Sequence, residues 1–189
     1  IVFPSQFPLV ASTNPCPCGY FGDPIQACTC SPRQREQYWA KLSGPLMDRI
    51  DLQVTVNRLK PEEMMRQEGG EGSQKIRERV AAARERAQQR LQEDSAVRCN
   101  AQMQVSHLRR FCQLDETSSN LLETAIRKLG LSARAMDRIL KVSRTIADLA
   151  GDEKIKSSQV AEAIQYRTLD RMRSEEHTSE LQSQFRISY

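Results

Sequence analysis

The first sixty residues alternate between short apolar runs and segments rich in proline, glycine and cysteine. Residues 7–13 (FPLVAST) form an apolar run that ends in small polar residues, which predicts a buried strand. Every second residue of 51–57 (DLQVTVN) is apolar, which predicts a half-buried strand. Residues 33–43 carry a helical pattern, and the Gly44-Pro45 pair after them ends it. This part of the chain therefore predicts an α/β layer.

Apolar residues recur every three or four positions from Ser73 to Glu93, a stretch without proline or glycine. This spacing predicts an amphipathic helix with a narrow apolar seam. The seam consists of Ile76, Val80, Ala83, Ala87 and Leu91. Arginines and glutamates are interleaved on the other faces, which favours a solvated surface. A basic patch that binds nucleic acid is the alternative.

Three further helices are marked by residues that suit helix ends. They are predicted from Asp115 to Leu129, from Ser132 to Ala150 and from Ser157 to about Leu169. The first residue of each suits an N-cap, and Gly130 and Gly151 suit the C-terminal ends of the first two. The apolar residues predicted to face the core are Leu121, Leu122, Ala125, Ile126, Leu129, Ile139, Val142, Ile146, Leu149, Val160, Ala163 and Ile164.

These patterns divide the chain into three parts and a tail. Residues 1–60 belong to the α/β layer, residues 61–74 form a linker with a short acidic helix at 62–67, and residues 75–172 form an all-α domain. Residues 173–189 begin RSEEHTSELQS, which matches an in-frame translation of a common sequencing adapter. We expect this tail not to be native, and a native disordered tail is the alternative.

The composition limits the classes of protein that fit these patterns. Hydrophobic residues make up 39% of the chain, charged residues 28% and aromatic residues 5%, which suits a helical protein with solvated faces. The net charge of +4 allows contact with an anionic polymer without requiring it. No run of about 18 apolar residues and no signal peptide occurs, so we expect no membrane contact and a cytoplasmic location.

Three stretches, in this order, resemble one protein family. They are LVASTNPCPCGYFGD, LSGPLMDRIDL and LSARAMDRILKVSRTIADLAG. Each is similar to part of the magnesium-chelatase-related AAA+ ATPases, specifically the bacterial YifB/ComM-like proteins. The likeness covers nearly all of residues 1–172. It implies that residues 1–60 are the C-terminal part of an AAA+ αβα core and that the helices after them form the lid domain.

The resemblance gives Asn14 the role of the first sensor of the AAA+ core, the residue that orients the attacking water. Asn14 directly follows the apolar run 7–13. Its amide group is able to donate to a γ-phosphate oxygen and accept from a water molecule. An ordinary Asn-Pro turn is the alternative.

Arg49, in PLMDRID, matches the arginine finger of the family, which reaches the nucleotide bound by the neighbouring subunit. A guanidinium suits this role because it is always charged and forks onto phosphate oxygens. One alternative is an ion pair with Asp48 or Asp51. Another is that Arg33 or Arg35 shares the role of the finger.

Arg134 matches the second sensor of the family. With Ser132 as the N-cap, Arg134 lies in the first helical turn, where a cation opposes the helix dipole. A phosphate bound at that end would account for the cation, because free backbone N–H groups point there as well. A solvent-facing arginine is the alternative.

Two motifs of an ATPase do not occur in the 189 residues. There is no G-x-x-x-x-G-K-[ST] phosphate loop, and no apolar strand ends in an Asp-Glu pair for Mg²⁺. The resemblance places both motifs N-terminal to Ile1. ATP with Mg²⁺ is then bound mainly by residues outside this chain, and we expect the chain alone to be inactive.

Four of the six cysteines form two C-x-C pairs: Cys16, Cys18, Cys28 and Cys30. Four thiolates this close in sequence could close a tetrahedral, structural Zn²⁺ site, although C-x₂-C is the commoner spacing. Four reduced thiols are the alternative, and a disulfide does not fit a cytoplasmic protein. Cys99 and Cys112 are predicted to be small buried side chains. His107 is an isolated histidine that is predicted to have no partners and is assigned no role.

The function implied by the resemblance is that of a ring-forming ATPase, a homo-oligomer and most simply a hexamer, that acts on DNA. Hydrolysis of ATP would drive branch migration or helicase-like remodelling during competence and recombination. One alternative is a chelatase-type motor that drives metal insertion into a tetrapyrrole. The other is a zinc-dependent nucleic-acid-binding module without any ATPase.

Overall fold

The computed structural model of the protein describes residues 7–42, 44–59, 65 and 70–167. The chain divides into two compact units. The first, called here the knuckle unit, comprises the described residues of Ile1–Ser43 together with Asn57–Leu59. The second, called the helical unit, comprises those of Gly44–Val56 and Lys60–Tyr189. The domain limits drawn from the sequence stay predictions.

The described part of the knuckle unit contains one helix, α1 (Pro32–Trp39). Ser31 is its N-cap, and a capping box joins the side chains and backbone N–H groups of Ser31 and Gln34. Proline suits the first helical position because its φ is already helical. The N–H that proline lacks would have no partner within the helix at this position. The helix predicted over 33–43 therefore exists, but it ends four residues earlier than predicted.

The helical unit consists of six α-helices and one short 3₁₀ turn within its described residues. The helices are α2 (Gly44–Met47), α3 (Ser73–Leu91), α4 (Val105–Phe111), α5 (Glu116–Leu129), α6 (Ala133–Ala150) and α7 (Ser157–Gln165), and the 3₁₀ turn is Asn100–Gln102. The predicted all-α domain is thus helical as expected. The short helix predicted at 62–67 and the tail at 173–189 lie outside the residues that the structure describes, apart from Met65.

The ends of α5 and α6 follow the predicted capping residues. Asp115 and Ser132 are the N-caps, and each side chain accepts a backbone N–H three residues later. Gly130 and Gly151 end the two helices with φ values of +58° and +80°, a conformation that glycine adopts without steric cost. The start predicted for α7 is wrong by one residue, and the helix ends at Gln165 instead of about Leu169. Its N-cap is Lys156, whose N–H donates to the Gln159 side chain at 2.7 Å.

Helix α6 lies at the centre of the helical unit and packs against α3, α4, α7 and the 3₁₀ turn, while α5 packs against α7. The core contains most of the apolar residues that the sequence predicted, including the fully buried Ile139 and Val160. Leu149 is an exception with 37% of its surface exposed, because the helix turns Ala147 inward at that level instead. In α3 the apolar seam is buried from Ala83 onward but not at Ile76, which is 40% exposed.

A buried ionic network closes the core beside α6. Asp148 is 1% exposed and pairs with Arg90 of α3 and, at 3.1 Å, with Arg144. Asn100 donates to the same carboxylate at 2.8 Å. Arg144 also donates to the backbone carbonyl oxygens of Asp152 and Glu153. Burial lowers the pKa of the Arg144 guanidinium from its usual value. The prediction of a solvated face is therefore wrong for Arg90, which serves this network.

Neither predicted strand is formed in the structure. Residues 7–13 and 51–57 have no regular secondary structure, and Val10 and Val56 are 92% and 88% exposed instead of buried. A strand persists only when its backbone groups pair with a neighbouring strand. The described residues supply no such neighbour. Instead, the N–H of Gln53 donates to the Tyr166 carbonyl oxygen at 2.8 Å.

Within the described ranges, no helix has both the length and the apolar character needed to cross a membrane.

Candidate metal centre and nucleotide-sensing residues

The four cysteines of the two C-x-C pairs come together in the knuckle unit. The sulfur atoms of Cys16, Cys18, Cys28 and Cys30 all lie within 4.8 Å of one another. The Sγ–Sγ distances are 3.3 Å for Cys16–Cys18, 3.5 Å for Cys18–Cys28 and 3.7 Å for Cys16–Cys28. All four are free thiols. The cluster could hold a metal ion.

Two tight turns between the pairs bring the sulfurs together. Gly19 and Gly22 both have φ of +83°, which is why glycine suits these positions. The N–H of Gly19 donates to the Cys16 carbonyl oxygen at 3.0 Å. The Asp23 carboxylate then accepts the N–H groups of Ile25 and Gln26 at 2.7 and 2.9 Å, and these bonds lower its pKa. This Asx-type turn redirects the chain toward the second pair.

The sulfurs differ in their surroundings. Backbone N–H groups, first that of Tyr20 and then that of Thr29, lower the pKa of the Cys18 thiol to about 5. Burial raises the pKa of Cys30 to about 12. The N–H of Cys18 donates to the Cys30 sulfur at 3.3 Å. Because thiolates that lie side by side repel one another, the sulfurs cannot all be ionised without a cation between them.

Side chains of α1 hold the cysteine loop. The indole Nε1 of Trp39 donates to the Pro15 carbonyl oxygen at 2.9 Å. Arg35 donates to the Cys30 carbonyl oxygen at 3.0 Å and lies over the Phe21 ring, 4.6 Å from its centroid. Both ends of the loop are therefore anchored on one helix.

Asn14, the predicted first sensor, belongs to the knuckle unit and is exposed. It stands directly before Pro15, whose carbonyl oxygen is bound by Trp39. Its own carbonyl oxygen accepts the Thr13 hydroxyl at 3.3 Å. That hydroxyl also lies 3.0 Å from the Tyr38 hydroxyl of α1. The backbone around Asn14 is thus tied down on both sides while its amide faces solvent.

Arg49, the predicted finger, belongs to the helical unit and is exposed in the turn that follows α2. Its guanidinium donates to the Pro45 carbonyl oxygen at 2.7 Å. The two aspartates beside it have other partners. Asp48 accepts the Ser132 hydroxyl at 3.0 Å, and Asp51 forms an ion pair with Arg138. The alternative of an ion pair between Arg49 and a neighbouring aspartate is therefore not what the structure contains.

Arg134, the predicted second sensor, is exposed in the first turn of α6. Its N-cap Ser132 is the residue that binds Asp48. One turn along the helix, burial together with the charges of Arg167 and Arg49 lowers the pKa of Arg138. The start of α6 and the segment after α2 are thus joined by direct contacts inside the helical unit.

Arg167 is a residue that the sequence did not single out. It is 1% exposed, donates to the carbonyl oxygen of Ile50 and lies 3.8 Å from the Asp48 carboxylate. It secures the segment that carries Arg49. An arginine that directly follows an apolar helical repeat resembles any solvated helix end, so the pattern contained no signal for its burial.

The predictions for the remaining cysteines and the histidine had mixed outcomes. Cys112 is buried, and burial raises its pKa to about 11. Cys99 is exposed, contrary to prediction. His107 has partners after all, because its Nδ1 accepts the Gln104 N–H at 3.1 Å and its Nε2 lies 3.3 Å from the Asp94 carboxylate. It ties α4 to the end of α3.

Comparison with protein families identifies both parts of the chain. Residues 70–167 match the family described as magnesium chelatase, subunit ChlI C-terminal. Residues 1–64 match the family described as magnesium chelatase, subunit ChlI. The first match alone covers more than half of the 189 residues.

Several bacterial proteins are similar over nearly the whole chain. Competence protein ComM of Haemophilus influenzae is 41% identical over 174 residues, which are 91% of this chain and 33% of that protein. The uncharacterized proteins YifB of Escherichia coli and Salmonella typhimurium are 38% and 36% identical, again over 91% of this chain and 33% of theirs. The chain spans about a third of the length of these curated relatives. The chain belongs to the magnesium-chelatase-related AAA+ family and is a YifB/ComM-like member of it.

Proposed function

We propose that the chain is the C-terminal part of a ring-forming, cytoplasmic AAA+ ATPase that couples ATP hydrolysis to DNA remodelling. Residues 1–60 would complete the αβα core, and residues 75–172 would form the lid. The observation that carries the proposal is the pairing of the aspartates around Arg49. Since Asp48 and Asp51 bind Ser132 and Arg138, the exposed Arg49, which bonds the Pro45 carbonyl oxygen, would be available to an anion of a neighbouring subunit.

The proposed roles follow the chemistry of each side chain. Asn14 would orient the attacking water through its exposed amide. Arg49 would stabilise charge on the nucleotide of a neighbouring subunit. Arg134 would bind phosphate at the start of α6, where free backbone N–H groups add to its charge. ATP with Mg²⁺ would be held mainly by residues outside the 189, because neither the phosphate loop nor the Asp-Glu pair for Mg²⁺ occurs among them.

DNA is the proposed substrate of the motor because a relative with 41% identity is named a competence protein. The net charge of +4 is compatible with an anionic polymer. A finger that acts between subunits requires head-to-tail contacts that close into a ring, for which we propose a hexamer. Branch migration or a helicase-like activity is the proposed reaction on DNA.

A chelatase-type motor remains the second candidate, since both families that the chain matches are described as magnesium chelatase subunits. A nucleic-acid-binding module without any ATPase is the third. ATP turnover separates the third from the other two, and stimulation of turnover by branched DNA separates the first from the second.

The experiment compares variants of the full-length protein. Arg49→Ala and Arg134→Ala are expected to lower ATP hydrolysis, the first by roughly 10³-fold as for other arginine fingers. ATP binding should survive Arg49→Ala, because the finger contacts the nucleotide of the neighbouring subunit. The matched control is Arg127→Ala, an exposed arginine of α5 whose partner is Glu123. Wild-type turnover in both test variants would overturn the motor proposal.

A further inference from the structure

The sulfur cluster of Cys16, Cys18, Cys28 and Cys30 has the dimensions of a closed tetrahedral metal site. With Zn–S bonds of about 2.3 Å, the sulfurs of such a site lie about 3.8 Å apart. Three of the Sγ–Sγ distances are 3.3, 3.5 and 3.7 Å, and no two of the four sulfurs are more than 4.8 Å apart. A disulfide requires about 2.05 Å, so these distances suit a shared cation and not a covalent bond.

The described residues of the knuckle unit bury very little apolar surface. Among its described residues, Cys16 is the only buried one. Four of its large apolar side chains, Phe7, Leu9, Val10 and Ile25, are more than half exposed, and others such as Phe21 and Trp39 are only partly buried. A unit of this size with no apolar core needs a disulfide, a metal ion or a partner to be stable. The cysteines are free thiols, which leaves the metal as the stabiliser that the unit itself is equipped to bind.

We propose that these four cysteines bind one structural Zn²⁺ ion, and that the ion fixes the loop that carries Asn14 onto α1. Zinc suits the site because it binds four thiolates in a tetrahedron, and its filled d shell imposes no other geometry. Binding forms four Zn–S bonds, and each thiol that is still protonated releases its proton to solvent. No electron is transferred. With all four positions taken by sulfur, the ion has no open position for a substrate.

The connection to Asn14 runs through two bonds of the loop. Cys16 is a ligand, Pro15 precedes it, and the Pro15 carbonyl oxygen is bound by the Trp39 indole. At the other end Arg35 binds the Cys30 carbonyl oxygen. The metal thus links the chain at Cys16 to the chain at Cys30, and each of these two segments is also held by its own bond to α1. This part of the inference rests on the proposed role of Asn14, whereas metal binding itself does not.

The first measurement is the metal content of the purified 189-residue chain, expressed without added zinc. We expect about one zinc ion per chain. The variants Cys16→Ser and Cys28→Ser, one from each C-x-C pair, should each fall below about a tenth of that value. Cys99→Ser is the matched control, because Cys99 is exposed and outside the cluster, and it should keep the full amount.

A second measurement keeps the inference testable even if the cysteine variants fail to fold. The wild-type chain, stripped of metal and loaded with Co²⁺, should show sulfur-to-cobalt charge-transfer bands and the strong visible bands of a tetrahedral site. Trp39 is the only tryptophan of the chain. Its fluorescence should change when a chelator removes the metal and return when zinc is restored.

Each outcome has a definite meaning. A metal-free wild-type chain that fails to bind Co²⁺ overturns the site, and so does full zinc content in both cluster variants. Bound zinc with unchanged Trp39 emission on chelation overturns the link to α1. Because none of these measurements uses ATP, they stand or fall separately from the turnover of the Arg49 and Arg134 variants.

Discussion

The two units of this chain reach stability by different means. The helical unit wraps α6 in apolar side chains, with residues such as Ile139, Val160 and Ala147 fully excluded from solvent. The knuckle unit buries only Cys16 among its described residues. Its loop is held by turns and by side-chain bonds to α1, to which the proposed metal at the sulfur cluster would add. Apolar periodicity in the sequence therefore predicts the structure of the helical unit, whereas the types and spacing of individual residues, above all the cysteines, predict that of the knuckle unit.

The ion pairs of the two units also differ in how deeply they are buried. In the helical unit the carboxylate of Asp148 is buried and is bound by Arg90, Arg144 and Asn100. In the knuckle unit the Arg58–Asp23 pair is 3.8 Å long and Arg58 is about half exposed, so it contributes little. The buried charges of the one unit and the sulfurs of the other are therefore the places where single changes should matter most.

Metal removal should produce the largest difference in stability between the two units. Structural zinc contributes on the order of 10 kcal/mol in small metal-dependent folds. Chelation is expected to abolish protection from amide exchange across residues 15–30 while leaving the helices of 73–165 unchanged. Hydrogen-exchange mass spectrometry on the chain with and without chelator measures this. Equal protection of residues 15–30 in both samples would contradict the contrast, and Cys99→Ser serves as the control chain.

Asp148→Ala should have the next largest effect, now confined to the helical unit. Removing this carboxylate leaves Arg90 and the buried Arg144 without their anion, and such losses cost about 3–5 kcal/mol. Chemical denaturation followed by far-UV circular dichroism measures the free energy of unfolding. The control is Glu123→Ala, which removes an exposed ion pair with Arg127 and should change stability by less than about 1 kcal/mol. Similar stabilities for the two variants would mean that the network is not coupled to the fold.

Two serines at the starts of successive helices give a smaller and sharper test. Ser132 is a true N-cap, whereas Ser157 is already inside α7 and Lys156 is the cap. Ser132→Ala should therefore cost about 1 kcal/mol, and Ser157→Ala should cost much less. Ser132→Ala also removes the bond to Asp48, so ATP turnover of the full-length variant should fall if that bond positions Arg49. Equal losses of stability for both serines would contradict the assigned helix starts.

The sequence predicted the helical unit well because its signals are local. Apolar spacing and capping residues such as Asp115 and Gly130 act within one or two helical turns, so neighbouring residues are enough to place a helix end. The same reasoning could not find Arg167 or Arg90. Their burial depends on partners distant in the chain, Ile50 and Asp148, which no local pattern specifies.

The two strand predictions failed for a related reason. The alternation in 51–57 indicates which residues of a strand would face a core, but a strand also needs a neighbouring strand with which to form backbone hydrogen bonds. The described residues provide none, and Gln53 bonds to Tyr166 of the helical unit instead. The cysteine pairs were the opposite case. Their spacing predicted a cluster, and the structure brings all four sulfurs together, whereas the roles of Asn14, Arg49 and Arg134 stay predictions.

The smallest expected effect is the pH dependence of the helical unit. Hydrogen bonds from Lys156 and Gln159 lower the pKa of Asp152, and those from Ser118 lower the pKa of Asp115, below the ordinary value of 3.8. A carboxylate with a lowered pKa in the folded state stabilises the fold above its unfolded pKa, and this contribution is lost as the pH falls through the folded pKa. Stability should therefore decline below about pH 4, and less so in the double variant Asp115→Asn/Asp152→Asn.

Urea midpoints at pH 6 and pH 3 measure the decline in each protein. Equal declines in wild type and variant would contradict the assignment of the pH dependence to these two carboxylates. Because both aspartates lie in the helical unit, the Co²⁺ bands of the knuckle unit at pH 6 should be identical in wild type and variant.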